Sequence, residues 1–156
     1  YIKNMDSKEL FGIFNKFWEK KGWQVPSQKW GLKLTNLIQD SLVVLKDVLD
    51  QTEPFFNCPK IEKPAAEFLK ENRVRTYLTE IIEFIEINNY CVNSQLAKKI
   101  IDELAKKYKV KKGILMKSLR VAFFGCLNGP DLIESWVLIS EKGEDIPRIE
   151  RCLDII

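Results

Sequence analysis

Clustered positive charge is the feature of this 156-residue sequence that most directly suggests chemistry. Residues 95–120 contain nine Lys or Arg side chains and two acidic ones, a net charge of +7, whereas residues 1–94 are balanced and residues 121–156 carry −4. Clustered cations bind polyanions because each neutralised phosphate releases condensed counterions. The segment therefore indicates either a surface for a polyanion such as a nucleic acid or an ordinary solvated helix face.

Few other side chains have the types and spacing that catalysis or metal binding needs. Glu80, Glu83 and Glu86 lie three residues apart, as a general acid and base could, but they alternate with apolar residues like the solvated face of an amphipathic helix. There is no histidine, and the four cysteines form no CxxC pair: Cys58, Cys91, Cys126 and Cys152. Common Cys/His zinc sites and His-based triads are thereby excluded. We predict no catalytic residue, no metal site and reduced, mostly buried thiols in a cytoplasmic protein.

Length and composition indicate a globular chain with a substantial core. Hydrophobic residues make up 46% of the sequence, with nine Phe, four Trp and four Tyr, enough for one domain or two small lobes. No apolar run reaches the roughly 18 residues of a membrane-spanning helix, so no membrane partner is expected. Tyr1 is not an initiator methionine and no signal peptide follows it, so we expect a piece of a longer protein.

Apolar residues recur at three- and four-residue spacing almost throughout, which predicts an all-helical fold without strands. The predicted helices begin near Ser7, Ser27, Pro64, Arg73, Asn93, Val110, Pro130 and Asp145, with breaks near Ser41 and Gly113. The apolar stripe of the second helix continues through Leu45 to Leu49. Prolines and weak periodicity in residues 51–63 predict a loop or hinge. This hinge suggests two helical lobes, residues 1–72 and 73–156.

The segment KVKKGILMKSLRVAFFGCLNGPDLIE, residues 109–134, resembles the C-terminal lobe of bacterial-type glutamyl-tRNA synthetases. The matching positions are Lys112, Gly113, Leu115, Met116, Leu119, Arg120, Ala122, Gly125, Gly129, Pro130 and Leu132. Ser118 and Phe124 depart from the family's usual Pro and its usual Thr or Ser. Residues 34–56 and the closing ERCLDII are also similar to family segments, and Tyr1-Ile2 corresponds to the family's transition out of the catalytic half.

This resemblance implies an all-α, two-lobed helical bundle, also described as an α-helix cage, which is the anticodon-binding region of a class I aminoacyl-tRNA synthetase. Its partners would be glutamate tRNA and an N-terminal catalytic half of the same polypeptide. ATP and Mg²⁺ would belong to that half, and this region would hold no cofactor. The resemblance assigns anticodon contacts to Arg120, Gly129, Pro130 and Leu132, consistent with the planar donors and close backbone approach that unstacked bases need. It leaves phosphate contacts to the lysines of the basic segment, Lys109, Lys111, Lys112 and Lys117.

Gln39 and Ser41 are further candidates for anticodon binding, in the first lobe. Many family members have Arg at the position of Ser41, where by resemblance it tests the third anticodon base, C in glutamate tRNA and G in glutamine tRNA. Serine is shorter and can both donate and accept a hydrogen bond. We therefore hypothesise that the parent enzyme does not discriminate and also charges glutamine tRNA. The alternative is that Gln39 or another residue distinguishes the two bases at this position.

A function of another class also fits the charge pattern. A basic helical protein-interaction domain could dock an acidic partner through residues 95–120. The salt dependence of RNA binding separates the two functions, since phosphate neutralisation gives a steep decline of affinity with salt.

Overall fold

The computed structural model describes residues 4–42 and 47–156. The helices in these ranges are α1 (Ser7–Lys20), α2 (Gln28–Gln39), α3 (Val48–Phe56), α4 (Lys63–Glu71), α5 (Arg75–Ile87), α6 (Ser94–Tyr108), α7 (Lys112–Phe124), α8 (Leu132–Glu141) and α9 (Asp145–Asp154). No strand occurs in the same ranges, which confirms the prediction of an all-α fold. None of these helices has the length and apolar character needed to cross a membrane.

The first compact unit, Tyr1–Asn57, has an aromatic core. Trp18 and Trp30 are fully buried, and both contact Phe56, with ring centroids 5.2 and 5.3 Å from its own. The Trp18 indole Nε1 donates to Thr52 Oγ1 at 2.9 Å, which satisfies the polar atom of this buried ring. These contacts join α1, the N-terminal part of α2 and α3.

The second compact unit, Cys58–Ile156, is built around α7. This helix packs against α4, α6, α8 and α9. From residue 118 to residue 124 every side chain except Arg120 is buried. The Phe123 ring, for example, lies 6.0 Å from the ring of Trp136 in α8. A helix covered on most sides needs apolar residues around most of its circumference, which explains the aliphatic and aromatic run in its sequence.

Two predicted boundaries are corrected by the structure. The loop predicted at residues 51–63 is wrong over its first half, because α3 continues to Phe56 with Pro54 inside it. Phe55 is fully buried, and this packing outweighs the backbone hydrogen bond that Pro54 cannot make. Pro130 lies before α8 rather than in its first turn, because Asp131 is the N-cap residue and its side chain accepts from the Glu134 N–H.

The break predicted near Gly113 does not occur, since Gly113 lies inside the first turn of α7. The break predicted near Ser41 agrees with the structure, where α2 ends at Gln39 and Asp40 is its C-cap residue. The compact units divide between Asn57 and Cys58, because α4 packs against α7. The two lobes at residues 1–72 and 73–156 stay a prediction as binding modules. Leu45 and the Tyr1-Ile2 match lie outside the described residues.

Candidate nucleic-acid interface

The turn after α7, residues 125–131, is fixed by backbone contacts that only a glycine allows. Gly125 is the left-handed C-cap residue of α7, with φ 72°, and its N–H donates to the Val121 carbonyl at 2.9 Å. A Cβ at this position would lie 1.9 Å from the Lys60 carbonyl oxygen. The Gly125 carbonyl accepts from the Glu62 N–H at 2.8 Å. The glycine therefore permits both the turn and the close approach of the segment before α4.

Arg120 connects α7 to the far side of this turn. Its guanidinium is half-buried, and Nη1 donates to the Pro130 carbonyl at 2.7 Å. The carboxylates closest in sequence have other partners, since Asp131 Oδ2 accepts from the Glu134 N–H at 3.0 Å and Glu134 Oε1 accepts from Ser94 Oγ at 3.1 Å. A guanidinium has five N–H donors, so holding one carbonyl is compatible with a second bond to a base edge.

Pro130 contacts Arg120 through its carbonyl, and Gly129 directly precedes it in the turn. Gly129 is exposed, and a Cβ there would lie 2.7 Å from Cδ2 of the Phe124 ring, so the bare backbone packs directly on that ring. Phe124 itself is 7% exposed. The turn thus presents backbone to solvent while an aromatic ring supports it from below. The contact of these residues with RNA stays a prediction.

Leu132 has a different environment from the one predicted for it. Its side chain, at the start of α8, is 0% exposed. A fully buried side chain cannot touch an RNA base unless the helix moves, so its assignment as an anticodon contact is corrected. Leu132 supports the turn from inside the second unit, where burial of an aliphatic side chain stabilises the fold.

The four lysines predicted to meet phosphates are all exposed and lie on or before α7. Lys109 is the left-handed C-cap residue of α6, with φ 52°, and Lys111 immediately precedes α7. Lys112 Nζ lies 2.7 Å from Asp102 Oδ1, and this hydrogen bond lowers the pKa of the Asp102 carboxyl. Lys117 Nζ lies 6.0 Å from the Phe68 ring centroid, a cation–π contact.

The length of α7 separates the lysines at its start from the turn at its end. Its 13 residues, at the rise of an α-helix, place Lys112 about 18 Å from the C-terminal end. Lys111 lies at that same far end, whereas Arg120 lies in the last turns of the helix. The predicted site residues of the second unit therefore extend along the whole of α7, with Lys117 between its two ends and three residues before Arg120.

Two arginines of α9 complete the C-terminal end of α7. Arg151 lies within the closing ERCLDII segment, but that similarity assigned no role to either arginine. Arg148 Nη1 donates to the Phe123 carbonyl at 2.9 Å, and Arg151 Nη2 donates to the Ala122 carbonyl at 3.1 Å. These carbonyls belong to the last turn of a helix, where no intrahelical donor remains. One signal could have identified Arg148, because it lies four residues before the buried Cys152 on the inward stripe of α9.

Gln39 and Ser41 lie at the end of α2 in the first unit. Gln39 is 9% exposed, and its Nε2 donates to the Met5 carbonyl at 3.0 Å. Ser41 is exposed, and its hydroxyl oxygen lies 2.9 Å from the Ile38 carbonyl and 2.9 Å from Gln51 Oε1. Ser41 is therefore the more accessible of the two side chains.

The thiols and carboxylates outside these regions show no catalytic arrangement within the described ranges. All four cysteines are free, but only Cys152 is buried, and burial raises its pKa to about 11. The prediction of mostly buried thiols is wrong because Cys58 and Cys91 lie in exposed segments between helices. Glu80 forms an ion pair with Lys107 of α6, which links two helices.

Comparisons with known proteins identify the family of this chain. A family model described as an anticodon binding domain matches residues 8–153. A glutamate–tRNA ligase of Prochlorococcus marinus (strain MIT 9215) is 54% identical over 157 residues, covering 100% of this chain and 33% of the relative. A glutamate–tRNA ligase of Parasynechococcus marenigrum (strain WH8102) is 37% identical, covering 96% of this chain and 32% of the relative. The chain thus spans about a third of the length of these curated relatives.

A solved structure shows the same fold. The crystal structure of a glutamate tRNA ligase from Elizabethkingia meningosepticum matches with a TM-score of 0.88 and 23% sequence identity, over 99% of this chain and 30% of that one. The family match extends over nearly the whole sequence, from α1 to α9. The chain belongs to the anticodon-binding domain family.

Proposed function

We propose that this chain recognises the anticodon loop of glutamate tRNA as the anticodon-binding region of a glutamate–tRNA ligase. The observation that carries the proposal is the family match over residues 8–153. The relatives are named glutamate–tRNA ligases, which is why we propose glutamate as the amino acid and glutamate tRNA as the RNA. In the intact enzyme this region positions the tRNA, while an N-terminal catalytic half that uses ATP and Mg²⁺ attaches glutamate in the cytoplasm. The region itself contributes binding and orientation, not bond formation.

The difference between the residues of the turn and the exposed lysines supports two separate roles within this function. Arg120 and the backbone of Gly129 and Pro130 are held in one geometry, as base reading requires. The lysines Lys109, Lys111, Lys112 and Lys117 are exposed, as contacts to the mobile and uniform phosphate backbone allow. We propose that the first group reads bases and that the second group only attracts and positions the RNA.

The test is a filter-binding comparison of this chain with glutamate tRNA, glutamine tRNA and an unrelated tRNA over a series of salt concentrations. We expect tighter binding of glutamate tRNA than of the unrelated tRNA, with affinity falling steeply and linearly on a log–log plot against salt. Equal affinity for all three tRNAs contradicts anticodon reading. Weak binding without salt dependence also contradicts the polyanion surface, and favours a basic protein-interaction domain with an acidic partner.

We further propose that the parent enzyme does not discriminate between glutamate and glutamine tRNA. This proposal depends on Ser41, which is exposed at the end of α2 where many relatives by resemblance have Arg. An arginine offers donors in a rigid fork and rejects one of the two bases by a donor–donor encounter. The Ser41 hydroxyl both donates and accepts, and it already lies near Ile38 and Gln51 oxygens, so it imposes no such rejection.

Aminoacylation of both tRNAs by the full-length enzyme tests this second proposal. A preference for glutamate tRNA above about 100-fold, equivalent to roughly 2.7 kcal/mol, would contradict it. If the unmodified enzyme charges both tRNAs, Ser41→Arg should create a preference for glutamate tRNA. Asn36→Arg is the matched control, since it adds the same side chain at another exposed position of α2 and should leave both rates unchanged relative to each other. If the Ser41→Arg enzyme still charges both tRNAs, another residue distinguishes the third anticodon base.

A further inference from the structure

The backbone carbonyls at the C-terminal end of α7 have an unusual set of donors. The Val121 carbonyl accepts from the Gly125 N–H inside the turn. The next two carbonyls, of Ala122 and Phe123, accept from arginine side chains of another helix, α9. Carbonyls at helix ends usually bond to water or to local backbone, and a cation there also interacts favourably with the helix dipole.

Arg148 is the more deeply placed of these two donors. Its side chain is 2% exposed, and Nη2 pairs with Glu144 Oε1 at 2.8 Å while Nη1 holds the Phe123 carbonyl. Arg151 bridges two segments, because Nη1 donates to the Pro59 carbonyl and Nη2 donates to the Ala122 carbonyl at 3.1 Å. The two arginines thus tie α7, α9 and the segment before α4 together at one point.

One feature of this arrangement is unfavourable. In the described ranges, the Nε atoms of Arg148 and Arg151 are both buried without a hydrogen-bond partner. A buried donor left unpaired is unfavourable, even though the other nitrogens of both guanidinium groups satisfy the Ala122 and Phe123 carbonyls. Departures of this kind are expected where a residue serves function rather than stability alone.

The location of these arginines next to the turn suggests what they serve. Arg120 precedes Ala122 by two residues on the same helix and holds the Pro130 carbonyl across the turn. We propose that Arg148 and Arg151 are positioning residues for anticodon reading: by holding the Ala122 and Phe123 carbonyls they fix the end of α7, and so fix the direction in which Arg120 and the 125–131 turn meet the RNA. This inference rests on the proposed function and assigns it two residues that do not touch the RNA.

Arg151 is the variant of choice because it is only half-buried, whereas replacing the buried Arg148 risks unfolding. Arg75→Met is a matched control, since Arg75 Nη2 also donates to a helix-end carbonyl, that of Leu153 at 3.1 Å, within the same unit. Both replacements remove one positive charge and two hydrogen bonds to backbone oxygens, those of Pro59 and Ala122 for Arg151 and those of Leu153 and Ile156 for Arg75. Of these two arginines, Arg151 is the one connected to the turn.

The first measurement is the ratio of dissociation constants for glutamate tRNA and for the same transcript with its three anticodon bases replaced. We expect Arg151→Met to reduce this ratio by about tenfold and Arg75→Met to leave it unchanged. Arg151→Lys should have an intermediate effect, because a single ammonium lacks the planar fork that reaches the Pro59 and Ala122 carbonyls from two nitrogens. Arg148→Lys should also reduce the ratio. A lower melting temperature with an unchanged ratio in both Arg151→Met and Arg148→Lys would overturn the proposal.

The second measurement is amide hydrogen exchange of the free protein at residues 125–129. Arg151→Met should accelerate exchange there at least about tenfold, while Arg75→Met should not, because a segment opens more readily once the hydrogen bonds that hold it are removed. Unchanged exchange at the turn in Arg151→Met contradicts the positioning role. If the unmodified chain shows no preference between the two transcripts, the proposed function fails, and the exchange result alone then decides whether the arginines fix the turn.

Discussion

The two ends of α7 differ in whether their polar groups are buried and hydrogen-bonded or exposed to solvent. At the C-terminal end, the carbonyls of Val121, Ala122 and Phe123 each have an identified donor, and the side chains around them are buried. At the N-terminal end, Lys111 and Lys112 are exposed, and the ion pair of Lys112 with Asp102 lies at the surface. The groups at the C-terminal end are held in one arrangement by hydrogen bonds, whereas the charged side chains at the N-terminal end are exposed and not held in this way.

This difference has a consequence for recognition. Discriminating one base from another requires donors held within a fraction of an ångström, because a misplaced donor loses its advantage for the correct edge. Attraction to phosphates requires only charge near the surface and tolerates long, flexible side chains. The C-terminal end of α7 is therefore suited to sequence reading, and the N-terminal end to binding that is independent of sequence.

The largest effect should come from removing the buried support of the rigid end. Leu132→Ala creates a cavity under the turn, and we expect the free energy of unfolding to fall by about 2–5 kcal/mol in chemical denaturation. Ile87→Ala is the control, because Ile87 is 78% exposed and its replacement should change stability by less than about 0.5 kcal/mol. A nearly neutral Leu132→Ala that weakens RNA binding would restore Leu132 as a direct contact.

Removing Arg120 should be the next largest effect and should depend on RNA sequence. Arg120→Ala loses the bond to the Pro130 carbonyl and the proposed base contact, and cognate binding should weaken by roughly 1–3 kcal/mol. Arg120→Lys keeps the charge but not the planar fork, so it should recover phosphate attraction without recovering preference. An equal decrease of affinity for every tRNA in Arg120→Ala would assign this residue to phosphate.

Neutralising lysines at the flexible end should change affinity without changing preference. A Lys109→Gln and Lys111→Gln double variant should bind every RNA more weakly, and the log–log salt slope should decrease by roughly one unit for each phosphate that is no longer neutralised. Measuring the slope with glutamate tRNA and with an unrelated tRNA distinguishes this from base reading. An unchanged slope with both RNAs shows that these lysines form an ordinary solvated face.

The sequence predicted the elements of α7 and its turn but not the way they are held together. The start of α6 and the apolar run of α7 follow from local patterns, namely a capping asparagine and helical spacing. The close approach of Lys60 to Gly125 joins residues that are distant in the sequence, and no local pattern records it.

The errors have the same physical origin. Leu132 matches a motif that the family uses for RNA, but a motif gives the identity of a residue and not whether its side chain faces the core. Pro54 suggested a loop because propensity disfavours proline in helices, yet the burial of Phe55 is a tertiary contact that overrides propensity. Arg148 lies on the inward stripe of α9 and Arg151 within the closing ERCLDII segment, but neither local pattern shows that these side chains donate to carbonyls of α7.

The smallest expected effect concerns the ion pair at the flexible end of α7. The hydrogen bond from Lys112 lowers the pKa of Asp102, so the pair persists at neutral pH and is lost only as the pH falls through that lowered value. Asp102→Asn removes the negative charge without any change of pH. Lys112 then loses its ion-pair partner and can bind a phosphate of the RNA. We expect affinity for every RNA to rise about twofold at low salt, and the gain to vanish at high salt.

Glu103→Gln separates the release of Lys112 from a simple change in net charge. It alters the charge by the same amount one residue away, but Glu103 pairs with Lys99, at 3.9 Å, rather than with a lysine at the start of α7. A gain in Asp102→Asn that exceeds the gain in Glu103→Gln, measured by filter binding across salt concentrations, identifies Lys112 as a phosphate contact. Equal gains in the two variants mean that only the net charge of α6 matters, and Lys112 then leaves the proposed interface.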